Sequence, residues 1–397
     1  MPNHWFKRVF EDILCSPPES LRLFPVWLLL GPRQVGKSAL LRRVGGAERQ
    51  IIDLDDLATR ARANSDPILF SKEIRLPCLI DEIQYAPQLL SVIKQFADRG
   101  VAAGSVMLTG SQNFEVMQGV RETLAGRVAI LNLLGLADEE HPPVSYAPQD
   151  YFSAMLRSSF PRLANVQDAD ARTLYLSSYV QTYIERDVRE LMGIAKRREF
   201  EIFVRSCALR TGQIVNHAEL AGVCGVSAVT IKQWLSLLED SFLIALVPPY
   251  FSNLNKRLVK SPKLYFLDTG LASHLCGWRS ADIARISPMA GALFETHIYG
   301  QIWRYFRHRA REVHISFYRT RDGAEIDFIV EHDGVIDPIE VKMGSADVRS
   351  LAKVETFGEP RWRTANVLSL AAAGKPAVQI SAHWCLLGPE GLGDLLG

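Results

Sequence analysis

Trp27-Leu28-Leu29-Leu30-Gly31-Pro32-Arg33-Gln34-Val35-Gly36-Lys37-Ser38-Ala39-Leu40-Leu41 decides how the rest of the chain is read. An apolar run of strand length enters a Gly-x-x-x-x-Gly-Lys-Ser loop, and an apolar-periodic segment of helix length leaves it. This is a phosphate-binding loop in the setting it needs: strand, loop, helix. Gly31 and Gly36 permit backbone angles that turn successive N–H groups inward at phosphate oxygens. The positive end of the helix starting near Lys37 adds to the same target. Lys37 reaches the β- and γ-phosphates as a flexible point charge, and the Ser38 hydroxyl is a candidate Mg²⁺ ligand. Gly31, Pro32, Arg33, Gln34, Val35, Gly36, Lys37, Ser38 and Ala39 are therefore expected to cradle a nucleoside triphosphate.

The surrounding composition limits what such a loop can serve. At 397 residues the chain suggests two to four domains. A hydrophobic share of 48% with 22% charged residues is that of a soluble globular protein. The formal net charge of +1 supplies no global field for nucleic acid or membrane, so any such contact must come from a local patch. The six cysteines lie far apart with no Cys-x-x-Cys, which argues against zinc knuckles and a disulfide framework. No apolar run approaches the ~18 residues of a membrane span, and the first twenty residues carry Asp, Glu and Pro. A cytoplasmic protein without membrane contact is expected.

Downstream, Ile51-Ile52-Asp53-Leu54-Asp55 reads as a second strand, and Pro77-Cys78-Leu79-Ile80-Asp81-Glu82 as a third that ends in two acids. In P-loop ATPases a strand-terminal Asp orders Mg²⁺, which makes Asp81 a candidate metal residue. Leu89 to Arg99 has helical periodicity, and Val106-Met107-Leu108-Thr109-Gly110-Ser111-Gln112 is a strand with a polar tip. Arg127 follows Leu124-Ala125-Gly126 and precedes a strand from Val128 to Leu133. It is either a group that stabilises γ-phosphate charge, in cis or across a subunit boundary, or an ordinary surface arginine.

Leu29 to Ser38, Leu79-Ile80-Asp81-Glu82-Ile83-Gln84, Leu108 to Gln112 and Leu124-Ala125-Gly126-Arg127 together resemble a widespread prokaryotic group of AAA-type ATPases with a poorly characterised C-terminal domain. The likeness covers most of the chain. It implies an ATP- and Mg²⁺-dependent enzyme in which Glu82 polarises the attacking water. It also implies that Ser111 or Gln112 senses the γ-phosphate, although Gly110 and Ser111 also suit an ordinary turn.

Asp138-Glu139-Glu140-His141-Pro142-Pro143 marks a domain boundary. Expected domains are 1–138 for nucleotide, 139–200 as a helical connector, 201–280 as a winged helix and 281–397 as a small α/β domain. In the connector, Tyr179 to Leu191 again looks like the family. Where the family carries Gly-Gly before an aromatic and Pro, this chain has Ser158-Ser159-Phe160-Pro161. His217 to Leu238 has helix-turn-helix spacing, with Ser227 a natural N-cap for the second helix. Lys256, Arg257, Lys260 and Lys263 lie in an acid-free loop between two expected wing strands, an arrangement suited to DNA phosphates. Winged helices also serve as protein-docking modules.

In the last third, Glu295 lies on an expected helix, and Asp327 and Glu340-Val341-Lys342 lie on an expected hairpin turning through His332-Asp333-Gly334. Glu340 and Lys342, two apart on a strand, face one way. This Glu…Asp…Glu-x-Lys order resembles the PD-(D/E)XK nuclease superfamily. The resemblance implies that Asp327, Glu340 and Glu295 hold Mg²⁺ and that Lys342 activates or steers water. The expected architecture is thus α/β: an ASCE/AAA-type P-loop parallel sheet, a connector, a winged helix and a nuclease-like domain. The expected function is an ATPase whose nucleotide state controls a DNA-contacting, nuclease-like C-terminal region, in a chain able to form a homo-oligomer. The alternative is an ATP-driven docking switch without nuclease activity.

Overall fold

The computed structural model describes residues 5–110, 119–120, 122–188, 196–250, 261–319, 325–344, 362–381 and 384–397. The chain forms two compact units. One comprises Met1–Leu136 with Asp240–Phe242 and Arg307–Arg311; the other comprises Ala137–Glu239, Leu243–Phe306 and Glu312–Gly397.

The first unit is built on a parallel sheet of β1 (Val26–Leu30), β2 (Gln50–Asp53), β3 (Cys78–Asp81), β4 (Val106–Gly110) and β5 (Val128–Asn132), in the order β2-β3-β4-β1-β5. Strands β1, β3 and β4 are buried along their whole length. That is why they read as unbroken apolar runs rather than as alternating ones. The helices Lys37–Val44 and Leu89–Asp98 belong to the crossovers between these strands, and the second buries Leu89, Leu90, Val92 and Ile93. Leu28, Ile80, Leu108 and Ile93 meet in one core cluster. Because the pairing sets Leu30 beside Gly110 and Asp53 beside Asp81, the ends of β1, β2, β3 and β4 open on one edge. In open parallel sheets this carboxyl edge is where ligands sit.

In the second unit the helix Arg197–Ala208 leads to β6 (Gln213–Ile214), then to the helices His217–Cys224 and Ala228–Asp240, which meet at 99°. The turn between them uses Gly225 in the left-handed region, and Ser227 Oγ accepts the backbone N–H of Thr230. Trp234 packs against Phe200 and Phe203. Strands β7 (Ile244–Val247) and β8 (Lys263–Phe266) pair antiparallel, and β6 joins the other side of β8. A six-stranded mixed sheet follows: β9 (His314–Arg319), β10 (Glu325–His332), β11 (Val335–Lys342), β12 (Ala365–Ser369), β13 (Val378–Gln379) and β14 (Trp384–Leu387). The β10–β11 hairpin turns at Asp333 and Gly334, both with positive φ (44° and 81°). These are the angles that a tight primed turn demands.

The segment after β5 is anchored rather than loose. Asp138 accepts from Gln301 Nε2 at 2.9 Å and lies 3.0 Å from His297 Nε2, both on the helix Ala290–Arg307. Ser158 adopts φ 74°, which explains why a glycine suits this position in the resembling family. The serine is held there by its hydroxyl, which donates to Asp268 at 2.8 Å, while the Ser159 N–H donates to the same carboxylate at 2.7 Å. Among the described residues no single helix is long and apolar enough to cross a membrane.

Candidate functional site

The loop after β1 curls through positive φ at Gly31 (151°), Gln34 (66°) and Gly36 (95°). Such turns build a concave backbone nest for anions. Gly31 is fixed by contact as well as by angle, since a Cβ there would lie 1.9 Å from the carbonyl oxygen of Leu133. At Gly36 a Cβ would meet nothing within 4 Å. Gly31→Ala is therefore expected to displace the loop and cost about 2–3 kcal/mol from overpacking and strain, against roughly 1 kcal/mol for Gly36→Ala. Urea unfolding midpoints of the two variants check the difference. The loop is also tied from behind. Buried Arg8 donates to the carbonyls of Val35 at 2.9 Å and Leu134 at 2.8 Å, a clamp that no sequence motif announces.

Lys37 is buried, and its ammonium donates to the carbonyls of Gly31 and Pro32, each at 2.9 Å. Burial pulls its pKa down to about 8 against the opposing pull of Glu82 and Asp81. Ser38 Oγ donates to Asp81 Oδ1 at 2.7 Å, so the two candidate Mg²⁺ ligands already stand side by side. Arg42 holds the other Asp81 oxygen at 3.3 Å and Asp53 at 2.9 Å. Glu82 follows with left-handed φ (56°), a costly conformation for a non-glycine residue. Its N–H donates to Thr109 Oγ1 at 2.9 Å, and its carboxylate accepts from Gln84. The Thr109 hydroxyl in turn donates to Asp81. Adjacent hard oxygens from Ser38 and Asp81, beside a buried ammonium, suit Mg²⁺ and a polyphosphate.

The structure brings Lys37, Ser38, Asp81 and Glu82 together. Thr109, which the sequence reading passed over, is the residue that joins the two acids. Ser111 and Gln112, expected at this edge, lie outside the described residues. Arg127 is a correction to the cis reading. It precedes β5, whose Val128 pairs with Val26 at the start of β1, so a strand of about 13–16 Å separates it from the loop. There it binds Asp98 and the carbonyl of Ala125.

A second cluster lies in the other unit, in a pocket of about 380 Å³ that includes Lys263, Glu295, Arg319, Glu325, Asp327, Glu340 and Lys342. The pairing of β10 with β9 shifts register between Ile326 and Ile329, and the bulge carries Asp327. Asp327 Oδ2 accepts the Val341 N–H at 2.9 Å, and Glu340 Oε2 accepts the Asp327 N–H at 3.2 Å. Glu340 Oε1 takes the Lys342 ammonium, and Asp327 Oδ1 faces the Lys263 ammonium at 3.7 Å. Burial first, then Asp327, push the carboxyls of Glu295 and Glu340 above their usual range.

Lys263 is the second correction. It does not reach out toward DNA with a basic loop; it is 4% exposed and ion-paired to Glu295 at 3.0 Å and Glu325 at 2.7 Å. Burial lowers its pKa, but Glu295, Asp327 and Glu325 outweigh burial and hold the ammonium above the usual lysine range. Lys256, Arg257 and Lys260 lie outside the described residues. As arranged, the pocket does not fit a divalent ion. Each oxygen of Asp327 and Glu340 already faces an N–H or an ammonium, and among the described residues no three ligating side chains converge on a metal position.

The AAA domain family matches residues 24–141, which contain the loop, Asp81, Glu82 and Thr109. Two families described as domains of unknown function, DUF8612 and DUF4143, match 148–282 and 290–369. An uncharacterized protein of Mycobacterium tuberculosis and one of Mycobacterium bovis are each 30% identical over 340 residues, 84% of this chain and 74% of theirs. An uncharacterized Haemophilus influenzae protein is 23% identical over 227 residues, 54% of this chain and 56% of its own. A solved structure titled "Structural Basis for Katanin Self-Assembly" aligns at 13% identity and a TM-score of 0.25, covering 57% of this chain and 79% of that one.

Proposed function

The chain belongs to the family of these mycobacterial proteins, with an AAA domain followed by domains of unknown function, and from that premise we propose that it is a Mg²⁺-dependent ATPase whose nucleotide state controls a DNA-contacting C-terminal region. The observation that carries this reading is the linked set Ser38–Asp81–Thr109–Glu82 beside the Lys37 ammonium, at the carboxyl edge of the parallel sheet. Mg²⁺ held at Ser38 and Asp81 would supply charge neutralisation to the phosphates. Lys37 exchanges the carbonyls of Gly31 and Pro32 for phosphate oxygens. Glu82 orients and deprotonates the attacking water, and Thr109 keeps both acids in position.

A winged-helix reading, and with it DNA contact, is supported by three helices and a three-stranded sheet, with Lys232, Gln233 and Ser236 exposed on the helix Ala228–Asp240. Phosphate contacts make such binding salt-dependent. The test is ATP turnover by the full chain with Mg²⁺, with and without duplex DNA, beside an electrophoretic shift. The reading expects turnover that changes when DNA is added, and a Lys232→Glu variant whose DNA affinity falls several-fold. Turnover indifferent to DNA, with no shift at low salt, would remove DNA from the account. The alternative without nuclease chemistry is favoured by one observation, the engagement of the Asp327 and Glu340 oxygens by donors. Strand cleavage is therefore not part of the proposal.

A further inference from the structure

The acidic pocket draws on two segments of the chain. Glu295, Glu325, Asp327, Glu340 and Lys342 come from residues that match one domain family, whereas Lys263 on β8 comes from residues that match another. Glu295 Oε1, Glu325 Oε1 and Asp327 Oδ1 all face the Lys263 ammonium, at 3.0, 2.7 and 3.7 Å. A Mg²⁺ or Mn²⁺ ion takes carboxylate oxygens like these at about 2.0–2.2 Å, so they would have to draw inward once the ammonium is gone. Ammonium and metal cannot share them, because two like charges in a buried site repel strongly and each needs the same oxygens. The lysine is built in rather than passing. Its stem is buried, its ammonium lies 5.5 Å from the centre of the Phe317 ring, and Tyr265, two residues along β8, donates its hydroxyl to Glu295.

We propose that Lys263 is the resident cation of this pocket, a side chain that takes the place of a divalent metal and makes the carboxylate cluster a metal-excluding joint between β8 and the C-terminal sheet. The inference concerns the second unit alone and does not depend on ATP hydrolysis in the first. Breaking a buried ion pair by removing one partner leaves uncompensated charge, which a metal ion can then neutralise. Loss of the ammonium should therefore create a metal site where none existed.

Mn²⁺ alone, titrated into the full chain without nucleotide and followed by the electron paramagnetic resonance of the free ion, tests this. Wild type and Asp327→Asn are expected to bind Mn²⁺ alike, because the pocket holds none in either. Lys263→Met is expected to gain one Mn²⁺, at least tenfold tighter than any background binding, and to lose it when combined with Asp327→Asn. Lys263→Arg, which keeps the charge, should gain none. Circular dichroism confirms that each variant is folded. Wild type that binds one Mn²⁺ lost in Asp327→Asn would overturn the proposal, and so would a folded Lys263→Met that gains no ion. If Lys263→Met does not fold, the comparison of wild type with Asp327→Asn still decides whether the native pocket holds metal.

Discussion

Lys37→Ala is expected to remove ATP binding at working concentrations and, with it, all ATP-dependent turnover. The ammonium is buried and rests on the carbonyls of Gly31 and Pro32, close to where the loop would hold phosphate. Losing one partner of a buried charge pair costs about 3–4 kcal/mol, a several-hundredfold fall in affinity. The effect should fall on binding and not on the fold, because the loop stays anchored by Arg8 and by the fit of Gly31 against Leu133. Calorimetric titration with ATP, beside a thermal melt without nucleotide, separates the two. Binding within threefold of wild type would show that the loop is not the ATP site.

Glu82→Gln is expected to give the opposite profile, with ATP bound about as tightly as by wild type and hydrolysis slowed by about 10²–10⁴, the usual contribution of a general base. Glutamine preserves the shape, and the Glu82 N–H still donates to Thr109. Only the ability to take a proton from water is lost. The left-handed backbone at Glu82 supports this role, since strain held in place by neighbouring bonds is commonly found at sites of chemistry. Single-turnover hydrolysis with the variant in excess over ATP measures the chemical step, and an unchanged rate would remove Glu82 from it.

The parts of the nucleotide site that could be read from sequence are those in which contiguous residues do the work. The Gly31–Ser38 loop is one contiguous run whose glycines carry its turn, and Asp81-Glu82 is visible because an apolar strand stops there. Thr109 was hidden because its role depends on strand order: β4 lies between β1 and β3, and only that placement carries its hydroxyl to Asp81. Arg127 illustrates the same limit in reverse. Its proximity in sequence to a strand said nothing of which end of the sheet it would occupy, and the parallel register put it at the wrong one. Arg8 was silent because one arginine just before a short helix carries no pattern.

The acidic pocket shows how burial escapes composition. Lys263 counted as one more positive charge in a basic stretch, yet its place on β8, within reach of Glu295 and Glu325, turns it inward. The order of Glu295, Asp327, Glu340 and Lys342 was legible, as was the hairpin that carries three of them. What the order did not contain was the lysine from outside the motif that faces the same oxygens.

The most direct test of the central claim is release of inorganic phosphate from ATP by the full chain in the presence of Mg²⁺, with Lys37→Ala measured beside it. Wild type should turn over ATP steadily and the variant should release none above background. Equal phosphate release from the two proteins, or none from folded wild type, would contradict it.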